Sequence, residues 1–348
     1  MNRENWADYV KALAIWMMVF AHANLSNESI SDFIGTFHMP VFFLISGYFD
    51  KGNKDIWNVV KKNVKTILIP YFFFSICAFS ICWISPTVHP ELYPGIDSWW
   101  DIYKAALIGM FLMDDQVTSY SFMPLGPLWF LAAMFIVRVF WAILLKILSY
   151  VRHSNTLLGS LYLVLFFLLL SVVCYKHVPV FSLDSAVLAF PFYIGGYLLA
   201  KYKVVTYLND TWTLLPLSLC CVSYLILVAP FNGHVDLDGC LWGNNILFFY
   251  INGFIGSMMC VCIARLGNKK YSRILSMVGR NTIVVLGTHF FFLQIGKLVC
   301  ARFLQMNLRN FPTLASLLLS VITVGGGIII AIFIKKYCPI VIGQTKRK

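Results

Sequence analysis

Most of this chain is divided into runs that are long enough to cross a bilayer and too poor in charge to stay in water. A membrane helix needs about 20 apolar residues to span about 30 Å of hydrocarbon. Runs of that kind, read between charged or Pro/Gly-marked breaks, fall at 8–24, 34–49, 66–84, 127–145, 156–174, 184–200, 212–229, 243–264, 281–299 and 313–334. Apolar residues make up 59% of the 348 and charged residues 12%, where soluble domains carry roughly 45–50% and about 25%. That balance excludes a water-soluble enzyme and a disordered chain. The predicted fold class is an all-α polytopic integral membrane protein of about ten transmembrane helices. It forms a single transmembrane domain over 1–348, without length for a soluble appendage. The first, second and sixth runs are short or carry polar residues, so they are expected to face protein, because polar groups facing lipid are costly.

The net charge of +12 is a topology signal rather than a nucleic-acid footprint. With the N-terminus inside, 21 of the 27 lysines and arginines fall at cytoplasmic ends, as the positive-inside rule requires. Both termini are then cytoplasmic. Glu28, Asp32, Glu91, Asp97, Asp236 and Asp238 are among the acids left outside. Ala21-His22-Ala23 looks like a cleavage site, but Glu4 and Asp8 cancel Arg3 and Lys11, so the first run is read as a retained span. The ten cysteines form no CxxC and imply no metal site. Phe43–Tyr48 (FLISGY) and Phe192–Tyr197 (FYIGGY) look alike and are read as a coincidence of composition. The longest outer segment, 85–126, is rich in aromatic and acidic residues, and 99–113 can form an interfacial or re-entrant helix.

Ionisable residues inside these runs carry the functional signal. At about 100° per residue, Asp8, Lys11, Ile15, Met18 and His22 form one stripe, with Lys11 and His22 about three turns apart. Asp8 and Lys11 are an i,i+3 pair able to neutralise each other. His38 opens the second run in FHMPVFFLISGYF and lies at a depth similar to His22. Pro40, one turn in, either kinks that helix or marks its start. His289 lies about two turns into the ninth run, whose N-terminus Asn281 or Thr282 can cap. A histidine so deep needs a partner. Lys54–Lys65 is a basic cytoplasmic stretch leading into TILIPYFFF.

The order Asp8-x-x-Lys11, His22, FHMPVFFLISGYF (37–49) and basic residues before LIPYFFF (68–74) resembles the membrane-bound acyltransferase-3 family. The fucose 4-O-acetyltransferase type of glycan O-acetyltransferase is the nearest group. PLWFLAAMFIV (127–137), FYIGGYLLAK (192–201) and GRNTIVVLGTH (279–289) are similar to its later landmarks, so the likeness covers nearly the whole chain. Many members have Arg where this chain has Lys11, which keeps the charge but loses the bidentate fork.

The resemblance implies a multi-pass enzyme of a bacterial inner or cytoplasmic membrane. It implies an acyl-CoA donor, usually acetyl-CoA, and no metal. It also implies an acceptor hydroxyl on a cell-surface or lipid-linked glycan. His22 and His38 would be its catalytic histidines, with Asp8 and Lys11 at the inner end of the same passage. Lys61, Lys62 and Lys65 are positioned for the phosphates of CoA, and Arg280 joins them by resemblance. Trp129 and His289 follow as substrate-side candidates. His22 would act as general base or as acyl carrier, and His38 would orient it or donate to the oxyanion. A transporter or polysaccharide flippase is the alternative, since such proteins also bury ionisable residues. It predicts paired half-repeats, and none is visible.

Overall fold

The computed structural model describes residues 5–23, 28–52, 55–80, 98–113, 126–150, 156–173, 181–267, 272–306 and 312–344. Helices dominate the described residues, which hold only one isolated β-bridge, Asp236 to Leu241. In chain order the helices are α1 (Asn5–Ala23), α2 (Glu28–Gly35), α3 (His38–Tyr48), α4 (Ile56–Asn63), α5 (Ile69–Ser80), α6 (Trp99–Leu112), α7 (Trp129–Tyr150) and α8 (Thr156–Val173). They continue as α9 (Leu183–Lys201), α10 (Val204–Tyr207), α11 (Thr211–Leu227), α12 (Ile246–Gly267), α13 (Arg273–Gly279), α14 (Thr282–Leu304) and α15 (Thr313–Tyr337). A π-turn, Val64–Leu68, joins α4 to α5.

Seven helical segments among the described residues are long and apolar enough to cross a membrane, two of them (Ser29–Tyr48 and Ile56–Ser80) built from consecutive helices, and Tyr162–Val172 and Thr211–Leu227 are shorter apolar ones. The chain is a multi-pass membrane protein. Large apolar side chains such as Phe166, Leu169, Leu219, Ile322, Ile329 and Phe333 stand exposed. Water would make such a surface an aggregation site, and lipid makes it ordinary.

Helix α1 has the length of a span, 19 residues, but is too polar to count among the seven. Its packing removes the difficulty. It lies against α2, α3, α12, α13, α14 and α15, and Asp8, Val10, Ala14, Ile15, Met18 and Val19 are buried. The polar stripe therefore meets protein, as its sequence requires.

The second run is two helices rather than one. The chain turns at Thr36-Phe37, and α3 begins at His38. Pro40 thus sits in the first turn, where its missing N–H had no intrahelical partner to lose. The third run starts earlier than read, because α4 and the π-turn extend α5 back to Ile56. Asn281 precedes α14 but does not cap it. Its amide donates to the Met277 carbonyl at 2.6 Å instead. Helix α6 matches the helix expected at 99–113. Ser98 Oγ accepts from Asp101 N at its start, and Tyr71 of α5 donates to the Met110 carbonyl near its end. Most of the outer segment 85–126 otherwise lies outside the described residues.

The two look-alike segments meet. A Cβ on Gly196 would lie 1.9 Å from the Leu44 carbonyl oxygen, and one on Gly47 would lie 1.9 Å from that of Tyr193. Helices α3 and α9 touch backbone to backbone there. Membrane helices use small residues for such contact, since lipid gives apolar side chains no reason to leave it. FLISGY and FYIGGY thus face each other at one helix crossing.

Candidate active site

The elements above bring the sequence candidates to two levels. At the C-terminal end of α1, the last turn is held by hydroxyls that satisfy its orphan carbonyls. Ser31 Oγ donates to Ala21 O at 3.5 Å, and Ser316 Oγ to Ala23 O at 3.2 Å. His22 is fixed between them. Its ring lies 5.4 Å from that of His289 and 5.0 Å from that of Phe290, centroid to centroid. His38, at the start of α3, donates from Nδ1 to the Ile34 carbonyl of α2 at 2.9 Å. That bond leaves its Nε2 with the lone pair.

His22, His38 and Trp129 line one cavity of about 240 Å³ with Met18, Met39, Leu286 and Phe290. Val235, Asp236, Leu237 and Asp238, from the segment between α11 and α12, line it too, with Gly35 and Pro127. His289 stands behind His22. It donates from Nδ1 to Leu286 O at 2.7 Å, and its buried Nε2 has no hydrogen-bond partner. Lys297, about two turns farther along α14, is also buried and lies within electrostatic reach of His22.

At the opposite end of α1, Asp8 is buried and accepts from Arg280 Nε at 3.0 Å and Ser276 Oγ at 3.4 Å. Lys11 Nζ is 3.9 Å from its other oxygen. Arg280 is thus an Asp8 partner and belongs to this network. A Cβ on Gly279 would fall 1.8 Å from the Asp8 carbonyl oxygen, so glycine is what lets α13 approach closely enough for the ion pair.

Beside this network lies a polar cavity of about 180 Å³, lined by Ser46, Phe49, Asp50, Lys51, Asn58, Lys62, Asn63, Arg138 and Tyr193 among others. Arg138 donates from Nε and Nη2 to Ser46 Oγ at 3.0 and 2.8 Å, and from Nη1 to Asn63 Oδ1 at 3.1 Å. Tyr193 donates to Asp50, which also accepts from Gly52 N at 2.7 Å. The one acid of the cavity is therefore occupied, while Lys51, Lys62 and Arg138 give it a positive balance. Of the three lysines singled out for phosphate, only Lys62 lines it. Lys61 lies over the Trp57 ring at 5.0 Å, and Lys65 is exposed on the π-turn. Phe49 joins the two polar groups. It lines the cavity, and Lys11 Nζ lies 5.9 Å from its ring centre.

Between the levels is a narrow apolar gap of about 30 Å³, lined by Ile15, Met18, Met39, Phe42, Phe130, Thr282, Ile283 and Leu286. Met18, Met39 and Leu286 also border the cavity of His22 and His38. Unbranched methionines can yield where branched residues cannot. Asp236 and Asp238 were read in the sequence only as outer acids, and Arg138 lies within the run at 127–145. Their roles as cavity walls depend on contacts between elements far apart in the chain, and no local pattern marks them.

A family model described as an acyltransferase domain matches residues 4–333 of the chain. No curated protein and no solved structure matches it.

Proposed function

The chain belongs to the acyltransferase 3 family and is a membrane-bound acyltransferase, and from that premise we propose the course of its reaction. The acyl group is acetyl, the donor is acetyl-CoA on the cytoplasmic side, and the acceptor is a hydroxyl of a cell-surface or lipid-linked glycan. The membrane is a bacterial inner membrane, both termini are cytoplasmic, and residues 1–348 act as one transmembrane domain. The lysine and arginine bias supports this orientation. It puts the cavity of Lys62 and Arg138 on the donor side and the cavity of His22 and His38 on the acceptor side.

The observation that carries the reading is the shared cavity of His22, His38 and Trp129, on a chain of this family. Arg138, Lys51 and Lys62 meet the phosphates of CoA, with Lys61 and Lys65 adding positive potential at the entrance. Asp8, Lys11 and Arg280 fix the inner end of α1 against α13. The pantetheine arm passes through the gap between Met18 and Met39, which excludes water from the thioester.

In the outer cavity the acceptor hydroxyl attacks the thioester carbonyl carbon while His22 takes its proton. His38 Nδ1 is committed to Ile34 O. Its Nε2, which carries the lone pair, accepts a hydrogen bond from the acceptor sugar and holds the attacking hydroxyl in line. Collapse breaks the carbon–sulfur bond, and the proton held by His22 passes to the leaving thiolate. The Nε2 lone pair of His289, buried and unpartnered, receives an N–H of His22 and steadies its charged form. Trp129 offers the sugar a stacking face.

The test uses purified protein in proteoliposomes with radiolabelled acetyl-CoA. His22→Ala abolishes transfer while the variant inserts and accumulates normally. Near-normal transfer by the purified variant refutes the mechanism.

A further inference from the structure

Away from the passage described above, a cavity of about 810 Å³ runs along α1. Tyr9, Ala12, Leu13 and Trp16 form one wall, and α12, α13 and α15 supply the others. At about 100° per residue these four positions lie on a different face of α1 from Asp8, Lys11 and His22. The Tyr9 hydroxyl is occupied by Ser272 N. The buried Nε1 of Trp16 has no hydrogen-bond partner among the described residues, so packing alone fixes that ring. Ile274, Val321, Ile329 and Ile332 line the cavity and are exposed. It is therefore a groove, open along its side to the hydrocarbon of the bilayer. Gly267 and Gly325 face its empty space, since a Cβ on either would meet nothing within 4 Å.

One end of the groove is basic. Helix α12 carries Arg265 in its last turn, α13 begins at Arg273, and α15 carries Lys335 and Lys336 in its last turn. None of these three helix ends carries an acid. Asp8, at the same end of α1, is buried and held by Arg280 and Lys11. Arg265 is bound to the Leu208 carbonyl. Arg273 and Lys336 are exposed. Arg273 adjoins Ile274, and Lys336 lies one turn beyond Ile332, both groove residues.

We propose that this groove binds an anionic phospholipid, with its chains along α1 and its phosphate between Arg273 and Lys336. An apolar side chain gains little by leaving lipid, so a resident lipid must be chosen by shape and by its headgroup. Basic pockets between membrane helices select anionic headgroups in this way. A zwitterionic lipid brings its own cation to the same place and is disfavoured. The 810 Å³ of space equals about 27 waters at about 30 Å³ each. A methylene group is of similar size, so most of both chains of one phospholipid fit. The lipid backs the helix that carries Asp8, Lys11 and His22, and so stabilises the site from behind. The inference does not rest on the acyltransfer reading, because its readouts are binding and melting.

The full chain is purified in detergent, stripped of lipid, and titrated with phosphatidylglycerol, with phosphatidylcholine of the same chains, and with glycerol phosphate. Native mass spectrometry counts bound lipid, and thermal melting follows stability. Wild type binds phosphatidylglycerol at least about tenfold more tightly than phosphatidylcholine, as two surface cations allow, and melts higher with it. Glycerol phosphate, a headgroup without chains, does neither. Arg273→Gln combined with Lys336→Gln removes the preference and leaves binding of phosphatidylcholine. Gly325→Phe places its ring in open space and abolishes the effect of phosphatidylglycerol, and Gly267→Phe is the second plug should the first accumulate poorly. Equal binding of the two lipids by wild type overturns the inference, as does phosphatidylglycerol binding that survives both plugs. A melting shift from glycerol phosphate equal to that from the lipid overturns it in favour of a free phosphate. A wild-type dimer that both plugs dissociate overturns it in favour of a second copy of the chain.

Discussion

The α3–α9 crossing makes a sharp prediction, because both sides of the contact are backbone. In Gly196→Ala the new methyl would stand 1.9 Å from Leu44 O and 2.9 Å from Tyr48 N. An ordinary C···O contact is about 3.3 Å or more, so the helices must part by about 1.4 Å. Neither atom belongs to a side chain that can rotate away. Overpacking costs typically about 1–3 kcal/mol, and a backbone obstacle puts this case at the upper end.

The functional loss should be larger than the loss of stability. Helix α3 carries His38 at one end and leads to Ser46 and Asp50 at the other. Its displacement strains the Ser46–Arg138 and Asp50–Tyr193 hydrogen bonds and moves His38 relative to His22. A misplacement of about 1 Å can cost about 100-fold in rate. The assay pairs thermal melting in detergent with acetyl transfer in proteoliposomes. Gly325→Ala is the control, since nothing lies within 4 Å of a Cβ there. The expected result is a lower melting temperature and transfer reduced about 100-fold for Gly196→Ala alone. Melting and activity equal to those of the control refute the backbone contact and its consequence for the site.

Other substitutions test separate links. Asp8→Asn leaves Lys11 and Arg280 facing each other without their shared anion. It should cost of order 2 kcal/mol, less than the about 3–5 of a fully buried broken pair because Arg280 can turn toward water. Adding Arg280→Gln should recover part of that loss in a melting experiment. Arg138→Gln and Lys62→Ala should raise the KM for acetyl-CoA more than they lower kcat, and each by more than Lys65→Ala does. An equal effect of all three would mean that general potential rather than the cavity holds the donor. Ile15→Trp fills the narrow apolar gap, so CoA binding measured by calorimetry should persist while transfer falls at least about tenfold, the rate cost of about 1.4 kcal/mol in the barrier.

Much of the fold was legible because a membrane span is a contiguous signal. The run at 212–229 is α11 to within two residues, and that at 313–334 is α15 but for its last turn. The juxtaposition of His22 with His38 was legible for the same reason, since a hairpin of few residues returns the chain to similar depth. His289 was marked by its depth alone, but its neighbour was not, because contact between α1 and α14 depends on helix order in the membrane plane. The same limit hid the Asp236–Asp238 wall, which reaches the cavity only through packing of its loop against α2 and α9. FLISGY and FYIGGY were visible as a pair, but sequence likeness does not say that two segments touch. The break at Thr36-Phe37 was missed because hydropathy continues across it while the backbone does not.

The central claim is that one histidine-lined cavity joins a thioester from the lysine-rich face to a hydroxyl from the other. Proteoliposomes of known protein orientation, with acetyl-CoA confined to one compartment and the acceptor to the other, test it most directly. The account predicts acetylated product in the acceptor compartment only when the donor is on the face bearing Lys62 and Arg138, and none with His22→Ala. Product formed only when donor and acceptor share a compartment would contradict it.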